Sequence, residues 1–312
     1  MPKYFQNRIA GSRLTLPVTG IYALAIWFMG GVLQEQWWLQ LACFAFTAYL
    51  VVLLSNMNSL IRVYSRLMSA FFLALGCCDC LLFPSVSESA CILFFVLSYL
   101  ILFMSYQDKT RSGYVLYAFI ALGIASMFYV HMLCLVPLFW LFMRYNLLAL
   151  SWRTWMASIL GVLTPYWFAE CWYFYRGEPW ILLEHFEPLA NFEPVADYAV
   201  VTPGQAALYI LLVVLGIMGS IHFIHKSYLD SIRVRLLYSI FIWMDLILAV
   251  FLALQPQHYN LLIRLMIVNT APLVAHFFAL TSTKVTNVVF YTTLTAIITL
   301  TVYNLWTASL NY

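Results

Sequence analysis

The sequence predicts an all-α protein, a polytopic bundle of helices that crosses a lipid bilayer many times. Mean hydropathy is +0.90. Only 9% of the 312 residues are charged, whereas about a quarter is usual in soluble proteins. Apolar stretches of about 20 residues recur along the chain, and a helix of that length crosses ~30 Å of hydrocarbon. Because these stretches are continuous rather than alternating, they favour helices over the strands of a barrel.

Hydropathy predicts about 11 membrane segments in one integral membrane domain, residues 1–312. Nine of them are single spans, near 14–33, 37–55, 67–84, 90–106, 154–173, 206–224, 236–254, 260–280 and 285–306. The apolar region 113–143 is too long for one upright helix and short for two. We expect it to enter and return, either as two short spans that turn near His131 or as a re-entrant helix.

The distribution of basic residues decides this and sets the orientation, because Lys and Arg collect in cytoplasmic loops. Lys3, Arg8 and Arg13 precede the first span, so the N-terminus is expected in the cytoplasm. With a return in 113–143, 13 of the 15 basic residues (all but Arg176 and Arg264) are cytoplasmic. A single crossing there would instead place six of them outside: Arg144, Arg153, Lys226, Arg233, Arg235 and Lys284.

An acidic external loop is predicted at 174–205. Pro179 suits the first turn of a short interfacial helix, and Pro188 is expected to end it. Glu184 and Glu187 are three residues apart and share a face of that helix, so they are candidate catalytic carboxylates. The alternative interpretation is a pair of solvated acids on a loop helix. Arg176 and His185 are the candidate substrate-binding residues of this loop.

Two ionisable residues fall inside predicted spans, which is costly unless they pair or face water. Asp245 lies near the middle of one span and Arg264 about one turn into the next. An Asp245–Arg264 pair is expected, either as a structural contact or as the lining of a substrate or proton path. Arg264 has the further option of extending outward to the headgroup region.

The stretch GCCDC, residues 76–80, is the one cysteine-rich segment. Adjacent helical residues point in different directions, and the spacing is not that of a metal site, so close helix packing is the preferred interpretation. The sequence contains no phosphate-binding glycine loop, zinc-protease motif or nucleic-acid-binding patch. We therefore expect no metal, no cofactor and no nucleic-acid partner.

Two stretches resemble known families: NSLIRVYSRLMSAFFLALGCCDCLLFP at 58–84, and the region 113–168 with its Arg-Tyr, Trp-Arg and Gly-x-x-x-Pro-Tyr elements. Together they look like a family of multi-pass inner-membrane proteins of Bacteroidetes-type bacteria, a domain of unknown function. The second stretch is also similar to polytopic sugar transferases that use lipid-linked donors. That likeness implies a catalytic acid in the first external loop, where QEQW at 34–37 offers Glu35.

These features favour a protein of the bacterial inner membrane that acts as a non-catalytic component of envelope biogenesis or of a membrane complex. The alternative is a glycosyltransferase that uses a polyprenyl-phosphate-linked sugar, with Glu35 or the Glu184/Glu187 pair as base and Arg176 on the phosphate. A third possibility is a small-solute or proton-coupled transporter that uses Asp245 and Arg264. The expected partners are the lipid bilayer and either a polyprenyl-phosphate lipid or another membrane protein.

Overall fold

The computed structural model describes residues 4–190 and 196–310, and those residues are helical without a strand. Short 3₁₀ turns separate several of the helices. In chain order, the α-helices are α1 (Phe5–Gly11), α2 (Thr15–Met29), α3 (Trp38–Asn58), α4 (Leu67–Gly76), α5 (Val86–Leu102), α6 (Ser112–Phe128), α7 (Leu135–Tyr145), α8 (Trp152–Arg176), α9 (Trp180–Ala190), α10 (Pro203–Lys226), α11 (Ile232–Leu254), α12 (Tyr259–Leu280) and α13 (Lys284–Leu310).

The fold consists of two compact units. The first unit is discontinuous in sequence and combines Met1–Ser85 with Val195–Tyr312. It contains α1 to α4 and α10 to α13. The second unit is the continuous segment Val86–Pro194, which contains α5 to α9.

The predicted number of about 11 spans is wrong. Among the described residues, six helices are long and apolar enough to cross a bilayer: α3, α5 with the turn that follows it, α10, α11, α12 and α13. A seventh span is possible if α1 and α2, which meet at a 92° bend, count together. Apolar runs overcount spans because a run does not guarantee a continuous helix. The run 67–84 supports only the ten residues of α4 before the backbone turns at Cys77.

Helix α12 is the core of the first unit. Nineteen of its 22 residues are buried. It packs against α10, α11, α4 and α1. A helix that is apolar around its whole circumference is stable only when neighbours cover every face. Of the six candidate spans, α13 is the least buried. Its most apolar stretch is 22% buried, which leaves most of its surface for lipid.

The region 113–143 returns to the end at which it began, as expected. Helix α6 leads to a 3₁₀ turn at Val130–Cys134, and α7 leads back. The amide of Gln107 donates to the carbonyl of Leu147 over 2.7 Å, so the two ends of this segment meet. The hydroxyl of Ser151 also donates to the carbonyl of Lys109. With 11 residues, α7 is only ~16 Å long, about half the thickness of the hydrocarbon layer.

Nearly all basic residues of the first unit lie at one end, which we call the basic end. Hydrogen bonds from the Gln6 amide to Thr281 join α1 to the connection between α12 and α13 there. At the same end, Arg62 contacts Asp230, and Arg233 donates to Asn58. The basic residues of this end are Arg8, Arg13, Arg62, Arg66, Lys226, Arg233, Arg235 and Lys284. Arg264 lies towards the opposite end.

The second unit has a charge polarity of its own. Lys109, Arg111, Arg144 and Arg153 lie at the end where Gln107 meets Leu147. Asp108 is the acidic residue of this end. Hydrogen bonds from Thr110, followed by Arg111, hold the pKa of its carboxyl below the usual range. The opposite end contains Arg176 and the acids Glu88, Glu170, Glu178, Glu184 and Glu187.

Two glycines allow α6 and α8 to pack backbone to backbone. A Cβ on Gly161 would lie 2.6 Å from the carbonyl oxygen of Leu116, and one on Gly123 would lie 2.8 Å from that of Val162. Side chains at these positions would force the helices apart. Small residues at such crossings are the usual means of close packing between helices in membranes.

We therefore expect Gly161→Ala to destabilise the protein by roughly 1–3 kcal/mol, the usual range for overpacking. Gly113→Ala is the matched control, because a Cβ there meets no atom within 4 Å. Thermal unfolding of the purified protein in mild detergent measures both. Equal unfolding temperatures for the two variants would contradict the tight α6–α8 contact.

Candidate functional site: a buried aspartate–histidine cluster at the basic end

A group of interacting ionisable side chains lies at the basic end of the first unit. Asp230 directly precedes Ser231, whose hydroxyl caps α11 by accepting from the amide of Val234. The Asp230 side chain is 2% exposed. One of its oxygens, Oδ2, lies 3.2 Å from Nε2 of His276, a completely buried residue in the last turns of α12.

Arg62 connects this pair to the surface. Its Nε lies 3.8 Å from Oδ1 of Asp230, and its Nη1 donates to the carbonyl of Leu229 over 3.3 Å. The Arg62 side chain is 36% exposed. The three side chains therefore form a row from solvent to interior that connects the α3–α4 connection, the α10–α11 connection and α12.

Aromatic rings enclose the imidazole of His276. The rings of Phe223 and Tyr238 both lie 4.9 Å from it, centroid to centroid. His222 follows at 5.8 Å. Among the described residues, Nδ1 of His276 and Nε2 of His222 are buried without a hydrogen-bond partner. Such groups are rare in interiors because each one loses its hydration without replacement.

This geometry resembles the way in which a carboxylate orients a histidine in many catalytic sites. With Nε2–H donating to Asp230, the remaining nitrogen, Nδ1, is an acceptor. A general base must reach the proton of a substrate, however, and Nδ1 of His276 is enclosed by aromatic rings. The contacts of the cluster are thus those of a structural connection between three segments.

The sequence-based prediction does not include Asp230, His276 or Arg62 as site residues. The order of the helices is nevertheless enough to predict that Asp230 and His276 lie at the same end of the unit. Asp230 lies just before α11, and His276 lies in the last turns of α12. Because α11 and α12 are antiparallel neighbours, both positions lie at the same end of the unit.

The described contacts of Asp245 and Arg264 are with other residues and not with each other, contrary to the expected Asp245–Arg264 pair. Asp245 accepts a hydrogen bond of 2.8 Å from the hydroxyl of Thr270 on α12. Its second oxygen packs on Gly216 of α10, where a Cβ would lie 2.2 Å from it. The carboxylate is 6% exposed and fills the space that this glycine leaves between α10, α11 and α12.

Arg264 instead interacts with the segment that contains GCCDC. It donates to the carbonyl of Leu82 and lies close enough to Asp79 for a direct electrostatic interaction. Asp79 is buried, and its carboxylate accepts from the amide of Leu81 over 3.0 Å. The pairing of Arg264 with residues of 79–82 joins α12 to the connection after α4.

The cysteines of GCCDC take part in helix packing. The thiol of Cys80 donates to the carbonyl of Asn304 on α13, and the Asn304 amide donates to the carbonyl of Cys78 over 2.7 Å. Among residues 4–190 and 196–310, no three His, Cys, Asp or Glu side chains form a group that would hold a metal ion.

The candidate catalytic acids of the acidic loop lie on the exposed face of α9. Glu184 and Glu187 both face outward there. The opposite face of α9 packs against the rest of the second unit. Nε2 of His185 lies 3.1 Å from the carbonyl oxygen of Ser126, and the centroid of the Phe186 ring lies 5.2 Å from that of the Tyr166 ring. This contact of His185 positions α9. Pro188 lies within α9 and does not end it. Residues 191–195 of the predicted acidic loop lie outside the described residues.

The two remaining candidates are also at the surface. The Arg176 guanidinium lies over the Trp172 ring at 5.0 Å, at the exposed end of α8. Glu35 is exposed in the turn between α2 and α3, and its amide donates to the carbonyl of Gly31. Glu35 belongs to the first unit, and Arg176, Glu184 and Glu187 belong to the second.

No known protein family, curated protein or solved structure matches this chain.

The buried cluster leads to a first prediction for this site. Asp230→Asn removes the charge that Arg62 and His276 share, and hydrogen bonds to buried charged groups contribute ~1.5–3 kcal/mol. We expect a loss of unfolding free energy in that range. Asp108→Asn, at a more exposed ion pair with Arg111, is the control and should cost clearly less. If the two variants melt together, the cluster does not hold the basic end.

A second prediction concerns Asp245. Thr270→Val keeps the volume but removes the described donor to the carboxylate, so we expect a loss of ~1–3 kcal/mol. Thr295→Val on exposed α13 removes only a hydrogen bond to the helix's own backbone and is the control. Detergent-solubilised protein and chemical denaturation provide the comparison. A Thr270→Val variant as stable as the wild type would show that Asp245 has another, sufficient donor.

Proposed function

We propose that this chain is a multi-pass protein of the bacterial cytoplasmic membrane that acts without catalysis, as a component of envelope biogenesis or of a membrane complex. One observation carries the proposal: the buried ionisable side chains contact one another, a hydroxyl or the backbone. Asp230 contacts His276 and Arg62, Asp245 contacts Thr270, and Arg264 contacts Leu82. Side chains held in this way stabilise a bundle and are not available to a substrate.

Charge supports the proposed orientation. Each unit, taken by itself, gathers its basic residues at one end, and positive residues mark the cytoplasmic side of membrane proteins. In the first unit, this end includes Arg8 and Arg13 of the N-terminal segment. We therefore propose that the basic end of each unit and the N-terminal segment face the cytoplasm. The acidic helix α9 would then lie outside.

Two alternatives make different demands on the same residues. A transferase for polyprenyl-phosphate-linked sugars needs its base beside bound substrate, but Glu35, Glu184 and Glu187 are exposed on turns and outer faces. A transporter needs water at Asp245, but this carboxylate packs against Gly216 and is 6% exposed. Packing of this kind favours the non-catalytic role. The resemblance to an inner-membrane family of Bacteroidetes-type bacteria fits the same proposal.

Cysteine accessibility tests the orientation. In a background with the exposed Cys134 and Cys171 and the half-buried Cys43 changed to Ser, one accessible cysteine at a time is introduced by Glu35→Cys, Tyr228→Cys, Lys109→Cys and Glu187→Cys. A membrane-impermeant maleimide added to intact cells should label the Glu35→Cys and Glu187→Cys variants. Tyr228→Cys and Lys109→Cys, at the basic ends, should react only after permeabilisation. The reverse pattern, or labelling of Tyr228→Cys in intact cells, would overturn the orientation.

A complementation experiment tests the role. Deletion of the gene should raise the entry of a dye that an intact envelope excludes. The wild type and the triple variant Glu35→Gln/Glu184→Gln/Glu187→Gln should restore exclusion equally, because these acids are not expected to do chemistry. A triple variant that reaches the membrane at the wild-type level but fails to complement would favour the transferase. An unchanged barrier after deletion would contradict a role in the envelope.

A further inference from the structure

The 92° bend between α1 and α2 leaves a groove of about 390 Å³ in the first unit. Volumes of this size are typical of sites for small ligands. At the basic end, the groove is lined by Arg8 and Ile9 of α1 and by Ser12, which directly follows α1. The walls of the groove lie along α2, α4 and α13 and are mainly apolar. They include Leu14 and Val18 at α2, Leu67 and Ala74 on α4, and Phe290 and Leu294 on α13.

The groove runs from the basic end into the depth of the bundle. Leu67 is the first residue of α4, at the basic end, and Ala74 lies about two turns further along the helix, which corresponds to ~10 Å. The wall residues of α13, Phe290 and Leu294, also follow the basic end of their helix. A long and narrow apolar site that opens at a headgroup level matches the shape of an extended hydrocarbon chain.

Among the residues that the structure describes, Arg8 is the one charged residue that lines this groove. The hydroxyls of the lining are used locally: Thr15 donates to the carbonyl of Ile9, Thr19 donates to that of Thr15, and Ser12 accepts from the amide of Leu14. Among the described residues, no hydrogen bond or ion pair involves the Arg8 guanidinium. An exposed guanidinium above an apolar groove complements an anionic phosphate that carries an acyl chain.

We propose that this groove binds one acyl chain of an anionic phospholipid of the surrounding bilayer, with the lipid phosphate at Arg8. Two further grooves, one in each unit, are lined by apolar and aromatic residues with few polar groups and no cation. Neutral lipid tails would suit those, whereas the Arg8 groove selects for headgroup charge. The inference requires that the chain is embedded in a membrane, but it does not depend on the proposed orientation or on the absence of catalysis.

Native mass spectrometry of the full chain in mild detergent tests the site. The protein is incubated with phosphatidylglycerol or phosphatidylcholine of identical chains, and the fraction that retains one lipid is measured. We expect greater retention of phosphatidylglycerol. Arg8→Gln should weaken its binding about five-fold, equivalent to ~1 kcal/mol for one basic residue at an anionic lipid surface. Arg13→Gln, at an exposed arginine outside the groove, is the control for charge.

The apolar part of the site is tested by filling it. Val18 lines the groove and is 61% exposed, whereas Val288 on α13 is 60% exposed and lies outside the lining. Val18→Trp should reduce the retention of both lipids, and Val288→Trp should not. Leu14→Trp is a second filling variant if Val18→Trp is unstable. Size-exclusion profiles and melting temperatures establish that each variant folds.

Three results would overturn the proposal. If Arg8→Gln retains phosphatidylglycerol as well as the wild type does, Arg8 does not bind the lipid phosphate. An equal loss in Arg13→Gln would show diffuse attraction to a basic surface and not a site. Wild-type binding by folded variants with the groove filled would show that the lipid binds elsewhere on the bundle.

Discussion

The fold depends on one constraint: within hydrocarbon, every backbone N–H and C=O must find its partner inside the protein, because no water is present to replace it. Helices meet that demand by themselves, which leaves side chains free to decide how helices pack. In the first unit the outcome is a central helix, α12, which its neighbours cover along nearly its whole length. Where the backbone leaves the helical form, as at 77–82, polar contacts from Arg264 and Asn304 compensate its carbonyls.

The buried carboxylates of this chain are held by specific partners. Removing a charge from water costs several kcal/mol, and partners recover that free energy only if their geometry is good. Asp230 has two partners, His276 and Arg62, and Asp245 has Thr270 and the space above Gly216. Each of these contacts joins segments that are distant in sequence. The sparse charges of this chain thus specify which apolar helices become neighbours, a selection that interchangeable leucines and valines would not make.

Much of the fold was predictable from hydropathy. The boundaries of α3 and of α10 to α13 lie within a few residues of the predicted spans, because apolar runs of about 20 residues favour a continuous helix, even across Pro272 in α12. Prediction was wrong where an apolar run contains a break that hydropathy does not register. The run 67–84 is interrupted at Cys77, whereas the turn predicted near His131 in 113–143 is present as the 3₁₀ turn Val130–Cys134. The candidate site was harder, since the expected Asp245–Arg264 contact followed from depth alone. Depth does not say that Gly216 opens a niche for the carboxylate or that Arg264 faces residues 79–82.

The sequence discontinuity of the first unit has a consequence for biogenesis. Helices α1 to α4 are synthesised before the second unit, and their central partner, α12, emerges roughly 200 residues after α4. At ribosomal rates of about 5–20 residues per second, the early helices wait some 10–40 seconds in the bilayer without their core. The hydrogen bonds between Gln6 and Thr281 form only at the end of this interval. The second unit is contiguous and completes its packing in the meantime. During insertion, the unpaired early helices therefore rely on lipid, or on an insertion chaperone, to cover the faces that α12 later occupies.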